Sequence, residues 1–100
     1  MSDPYLKIVR ENWDAITGMY RVFEHVKPII EFDVERQQVL AYPAEEYLDL
    51  LSERTREQTR GQHRQATAEG ALMVFVRDKP QRVFRSYIFP LVPHLSNSGA

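Results

Sequence analysis

Apolar residues near the N-terminus fall at Leu6, Val9, Trp13, Ile16, Tyr20 and Phe23, in alternating steps of three and four. Such spacing returns to one side of an α-helix at every turn. Ile8, Ala15, Met19, Val22 and Val26 widen the stripe beyond a coiled-coil seam. Asp3 and Pro4 form a good start, an oxygen-bearing cap followed by proline at the first helical position. Lys27-Pro28 ends the run, because proline can neither continue a helix nor donate a backbone hydrogen bond. The pattern predicts one helix over residues 4–26, with Trp13, Tyr20 and Phe23 in the core.

The period then changes to two. Ile30, Phe32 and Val34 alternate with Ile29, Glu31 and Asp33, as expected of a strand with one wet face. Residues 35–38 are polar and of hairpin length, and 39–42 read as the returning strand. Pro43, Glu45 and Glu46 open a second helix, with proline and two acids in a first turn that favours both. Tyr47, Leu48 and Leu51 supply its apolar face.

Residues 52–65 contain no strong hydrophobe and carry four arginines. Thr55, Thr59, Gln62 and Ala66 keep an uncharged stripe at helical spacing, so the helix is expected to run on toward Glu69 as a solvated arm. A break at Gly61 is the alternative. Unbroken from 44 to 69, the helix would be about 39 Å long and would overhang a strand of about 20 Å. Replacing Arg56 and Arg60 should then change stability by less than about 1 kcal/mol, as at exposed positions.

Gly70 is a plausible helix stop. Residues 71–76 are apolar throughout, which suits a strand covered on both faces. Lys79-Pro80-Gln81-Arg82 reads as a turn, and 83–89 as a fourth strand with Phe84 and Ile88 on one face. Pro90 and Pro93 stop that strand, leaving Leu91, Val92 and Leu95 as an apolar cover. Residues 1–95 are expected to form one α+β domain, and 96–100, small or polar, a disordered tail. The order α-β-β-α-β-β uses a helix-plus-hairpin unit twice. The expected fold is a four-stranded antiparallel sheet in the order 1-2-4-3 with both helices on one face, a permuted ferredoxin-like sandwich. Its outer face, with Glu31 and Asp33 beside Ile29, Leu40 or Tyr42, would be partly apolar and open, as at a dimer or partner interface.

Composition narrows the function more than it names it. The chain has 100 residues, 43% of them hydrophobic and 27% charged, which fits a small globular protein. It has no cysteine, so thiol chemistry, disulfides and zinc–thiolate sites are excluded. The longest apolar run, Ala71 to Val76, is far too short to span a bilayer, and the acidic start does not resemble a signal peptide. A cytoplasmic protein is expected, with no membrane partner. The net charge of −1 hides an uneven distribution. Residues 1–50 hold ten acids and five bases, whereas 51–100 hold four acids and eight bases. The two halves either interleave in space or present a two-faced surface to a second copy or a charged partner.

Candidate chemistry is sparse. Glu31 and Asp33 stand two apart on a strand, so both carboxylates leave the same face, where an acidic pair can serve cation binding or acid–base work. The spacing has no fixed relation to a glycine or histidine, and a solvated strand face is the preferred explanation. His25, His63 and His94 show no metal-ligand spacing, so neither a metal nor another cofactor is expected. No serine lies in a nucleophile motif, and no glycine-rich loop could cradle a phosphate. Arg56, Arg60 and Arg64 would line one ridge of a continuous helix, suited to an acidic protein surface or to phosphates. Nucleic acid is the less favoured partner, since the pI is not basic and no exposed aromatics interleave. Tyr5, Tyr42 and Tyr87 are better placed at edges or interfaces, where a hydroxyl finds a partner. The expectation is a small non-enzymatic interaction or regulatory module acting as a homodimer, with anion or nucleic-acid binding as the alternative.

Overall fold

A computed structural model describes residues 3–23 and 27–91. The order is α1 (Pro4–Glu11), α2 (Trp13–Val22), β1 (Pro28–Asp33), β2 (Gln38–Pro43), α3 (Ala44–Leu48), α4 (Glu53–Ala68), β3 (Ala71–Asp78) and β4 (Val83–Pro90). His25, Val26, Val92, His94, Leu95 and the tail at 96–100 lie outside the described residues.

The first helix starts where the sequence places it. The Asp3 carboxylate accepts from the Tyr5 and Leu6 amides, and Pro4 occupies the first turn. It is interrupted at Asn12, whose side-chain amide donates to the Ile8 carbonyl at 2.8 Å while its backbone leaves helical geometry. A polar side chain that bonds back one turn bends a helix, and here it divides one run into α1 and α2. Val22, expected on the apolar stripe, is 72% exposed.

The sheet departs from the expected topology. Its order is β2-β1-β3-β4, and β1 and β3 are parallel neighbours, so the sheet is mixed rather than antiparallel. Pairs β1–β2 and β3–β4 are antiparallel hairpins, as read from the sequence. The helices also cover both faces. Val9, Ile16 and Tyr20 pack with Ile30, Leu72, Val74 and Val76 on one side. On the other, Tyr47 and Leu48 of α3 pack with Ile29, Met73 and Phe75. This is a three-layer arrangement and not a two-layer ferredoxin-like sandwich. The physical reason lies in β1: residues 28–32 are all buried, so the strand needs a neighbour on each edge and a layer on each face. Glu31, which suggested a wet face, is itself buried at 4% exposure.

The two hairpins share a geometry. Each has a four-residue loop, 34–37 and 79–82, with its last residue left-handed: Gln37 at φ 52° and Arg82 at φ 56°. The second helical region is also divided. It breaks between Leu48 and Glu53, where Ser52 caps α4 by accepting from the Thr55 amide. The α4 helix then passes through Gly61 without interruption, so the 39 Å helix does not form and the 16-residue α4 is about 24 Å long.

Gly70, at φ 69°, turns the chain from α4 into β3, and an added Cβ would meet no atom within 4 Å. The cost of a side chain there is purely conformational. Gly70→Ala should lower unfolding free energy by about 1–2 kcal/mol in urea titration. Gly61→Ala, equally unobstructed but mid-helix, should raise it by up to about 1 kcal/mol.

Candidate functional site

The β1 and β3 strands run side by side in register, with Glu31 opposite Phe75 and Asp33 opposite Arg77. Alternation therefore puts Glu31, Asp33, Phe75 and Arg77 on the sheet face that α3 covers. The Tyr47 hydroxyl, from α3, donates to Glu31 Oε1 at 2.8 Å, and Arg77 Nε reaches the same oxygen at 3.2 Å. Tyr47 is fully buried, and burial, reinforced by the Glu31 charge, pushes its hydroxyl well above the usual phenol range. The Arg77 guanidinium also lies over the Phe84 ring, 4.8 Å from its centroid. A buried carboxylate is costly unless it is paired and hydrogen-bonded, and these two partners meet that need.

The expected acidic pair is thus divided in role. Glu31 is bound into the interior, whereas Asp33 accepts from the Arg36 amide at 3.2 Å and shapes the hairpin turn. A shallow cleft of about 280 Å³ opens beside them, lined by Glu31, Asp33, Arg36, Tyr42, Arg77 and Lys79 among others. Acids and bases mix around it, which gives no single charge to a ligand. Among the described residues, no three acidic, histidine or cysteine side chains gather to hold a metal ion.

A second polar cluster ties the N-terminus to the sheet. Tyr87 Oη donates to Asp3 Oδ2 and Tyr5 Oη to Asp78 Oδ2, each at 2.8 Å. Arg85 lies 3.6 Å from Asp3 and over the Tyr5 ring. The Tyr87 hydroxyl bond holds the Asp3 carboxyl below its ordinary value. Tyr5 and Tyr87 thus sit at partnered positions, as their residue type suggested, while Tyr42 packs against Tyr47 with ring centroids 5.1 Å apart.

The arginine ridge is mostly engaged within the chain. Arg56 donates to the carbonyls of Leu48 and Leu51, both at 3.0 Å, and so satisfies the exposed end of α3. Arg60 bridges Glu45 and Glu57, which together push its guanidinium above its ordinary value. Arg64 makes no hydrogen bond or ion pair among the described residues and is exposed. His63 is half-buried on α4, and burial lowers its imidazole below the ordinary 6.5. Three ion pairs join a base of the second half to an acid of the first: Arg60–Glu45, Arg77–Glu31 and Arg85–Asp3. The halves interleave rather than segregate.

The open surface lies on β4, which the sequence reading did not single out. Val83, Arg85, Tyr87 and Phe89 project toward the α1–α2 side, where Tyr87 and Phe89 join the core. Phe84, Ser86 and Ile88 project to the other side, beyond the reach of α3, with Phe84 39% and Ile88 46% exposed. The strand is also the sheet edge. The Leu91 amide donates to the Gly70 carbonyl at 2.9 Å, so the odd-numbered residues of β4 bond toward β3. Antiparallel ladders alternate, which turns the backbone groups of Phe84, Ser86 and Ile88 outward. Among the described residues nothing pairs with these outward amides and carbonyls, and they belong to the residues whose side chains are partly exposed. The spacing of Phe84 and Ile88 was visible in the sequence; that β4 forms an edge was not.

Four substitutions separate structural from surface roles. Tyr47→Phe leaves the buried Glu31 short of a donor and should cost about 1–3 kcal/mol in chemical denaturation. A double-mutant cycle with Glu31→Gln should show non-additivity above about 0.5 kcal/mol. Arg56→Ala should cost about 1–2 kcal/mol, replacing the small effect expected for a solvated arm, because two carbonyls lose their donor. Arg64→Ala should stay within about 0.5 kcal/mol.

Compared with family models, curated proteins and solved structures, the chain finds no match in any of the three, and its function has to be read from the chemistry of these surfaces.

Proposed function

We propose that the chain is a small non-enzymatic interaction module that binds protein by adding a strand at the free edge of β4. The observation that carries this reading is the coincidence on Phe84, Ser86 and Ile88 of outward backbone groups and partly exposed side chains. Strand addition takes affinity from main-chain hydrogen bonds and specificity from alternate side chains, and β4 offers both on the same three residues. Natural sheet edges are normally blunted by charged side chains, proline, bulges or short length, and the one charge on β4, Arg85, is engaged with Asp3 on the α1–α2 side. The β4 strand has eight residues, pairs with β3 without a bulge, and carries proline only at its last position. The polar clusters of the interior are absorbed by folding: Glu31 is bound by Tyr47 and Arg77, and Asp3 by Tyr87. The anion-binding reading of α4 has less support, because the fold already uses Arg56 and Arg60.

Amide hydrogen exchange tests the reading with two extended peptides. One copies residues 83–90, and the other has an unrelated sequence with the same alternation of apolar residues. Added peptide should slow exchange at Phe84, Ser86 and Ile88, and Ser86→Pro, which removes an outward amide and no β3 hydrogen bond, should abolish the effect. Protection confined to other segments, or none with either peptide, would remove strand addition as the mode of action.

A further inference from the structure

Building on strand addition at β4, we infer that its occupant is a second copy of this chain, paired antiparallel with Ser86 on the two-fold axis. Directly opposed residues in an antiparallel ladder point to the same face. A two-fold axis perpendicular to the sheet must therefore pass through a residue of β4, not between two. Three positions near the middle of the strand compete. An axis at Arg85 would set two arginines directly against each other, a like-charge pair that destabilises. An axis at Tyr87 would oppose Phe84 to Pro90, which has no amide to give. An axis at Ser86 avoids both and sets Phe84 of each copy opposite Ile88 of the other.

That register is self-complementary at every level the strand offers. The outward groups of Phe84, Ser86 and Ile88 would meet their own counterparts in about six hydrogen bonds. The aromatic–β-branched pair of Phe84 with Ile88, made twice, covers what remains exposed of the two large apolar side chains on this face of β4. On the opposite face, Arg85 would lie across from the second copy's Tyr87, whose hydroxyl already holds Asp3. Each guanidinium would then stand between two carboxylates, the Asp3 of its own chain at 3.6 Å and that of the other copy. The two sheets would join into one of eight strands with β2 at both ends.

The chain has no cysteine, so one introduced thiol reports on register without interference. Ser86→Cys should oxidise to a covalent dimer, because directly opposed residues of a hydrogen-bonded pair have Cα atoms about 5.5 Å apart, within disulfide range. Phe84→Cys alone should stay uncrosslinked, its counterpart lying about 13 Å along the strand. An equimolar mixture of Phe84→Cys and Ile88→Cys should give the mixed dimer. Sedimentation should show a dimer for the unmodified chain and a folded monomer for Ser86→Pro. A monomer at all concentrations, with the unrelated peptide still protecting the β4 amides, would overturn self-pairing and leave strand addition standing. Crosslinking of Phe84→Cys with itself would overturn the Ser86 register. A dimer that survives Ser86→Pro would place the interface elsewhere and overturn self-pairing at β4, while peptide protection of the β4 amides would still decide strand addition.

Discussion

A carboxylate inside a doubly covered strand is the constraint on which the rest of this structure depends. The β1 strand lies between β2 and β3 and beneath helices on both faces, yet it carries Glu31 at its centre. An unpaired charge there would cost far more than any one interaction returns. The chain meets the demand with two groups distant in sequence, the Tyr47 hydroxyl and the Arg77 guanidinium, both on Oε1. Both groups must be in place together. That requirement links α3 to β1 and selects the register in which Arg77 of β3 passes beside Asp33 and Glu31.

Polar side chains do the same work at the edges of the fold. Asp3 caps α1 and also accepts from Tyr87, so one carboxylate starts a helix and fastens it to β4. Arg56 closes the end of α3, and Arg60 ties α4 to α3 through Glu45. The α4 helix therefore needs little apolar burial of its own. Thr59 and Ala66 are its only buried positions among the described residues, and ion pairs and caps supply much of its attachment. The uneven charge of the two halves is the sequence record of this stapling.

Three layers built from a four-stranded sheet leave an imbalance. The α1–α2 pair covers all the strands on its face, reaching Val39 on one edge and Phe89 on the other. The α3 helix has only five residues and covers the half of its face around Ile29, Met73 and Phe75. The strip of β4 beyond it, Phe84 to Ile88, stays partly exposed, and the longer α4 packs against β3.

The sequence by itself determined the local elements. Period, caps and prolines placed the helix start at Pro4, both hairpins and the helical character of the polar arm, because these depend on neighbours within a few residues. It could also be read that Glu31 and Asp33 share a face and that Tyr5 and Tyr87 seek partners. The breaks at Asn12 and at residues 49–52 were less legible, since Asn12 and Ser52 are compatible with a helix until their side chains bond the backbone. Strand order, the parallel pairing of β1 with β3 and the burial of Glu31 were decided only in the tertiary structure. A charged residue in an alternating strand reads as a wet face unless its partners are known, and here those partners lie 16 and 46 residues away. The open edge of β4 depends on the same choice. Whether a strand ends a sheet is set by where the other strands pair, and no local pattern in residues 83–90 records it.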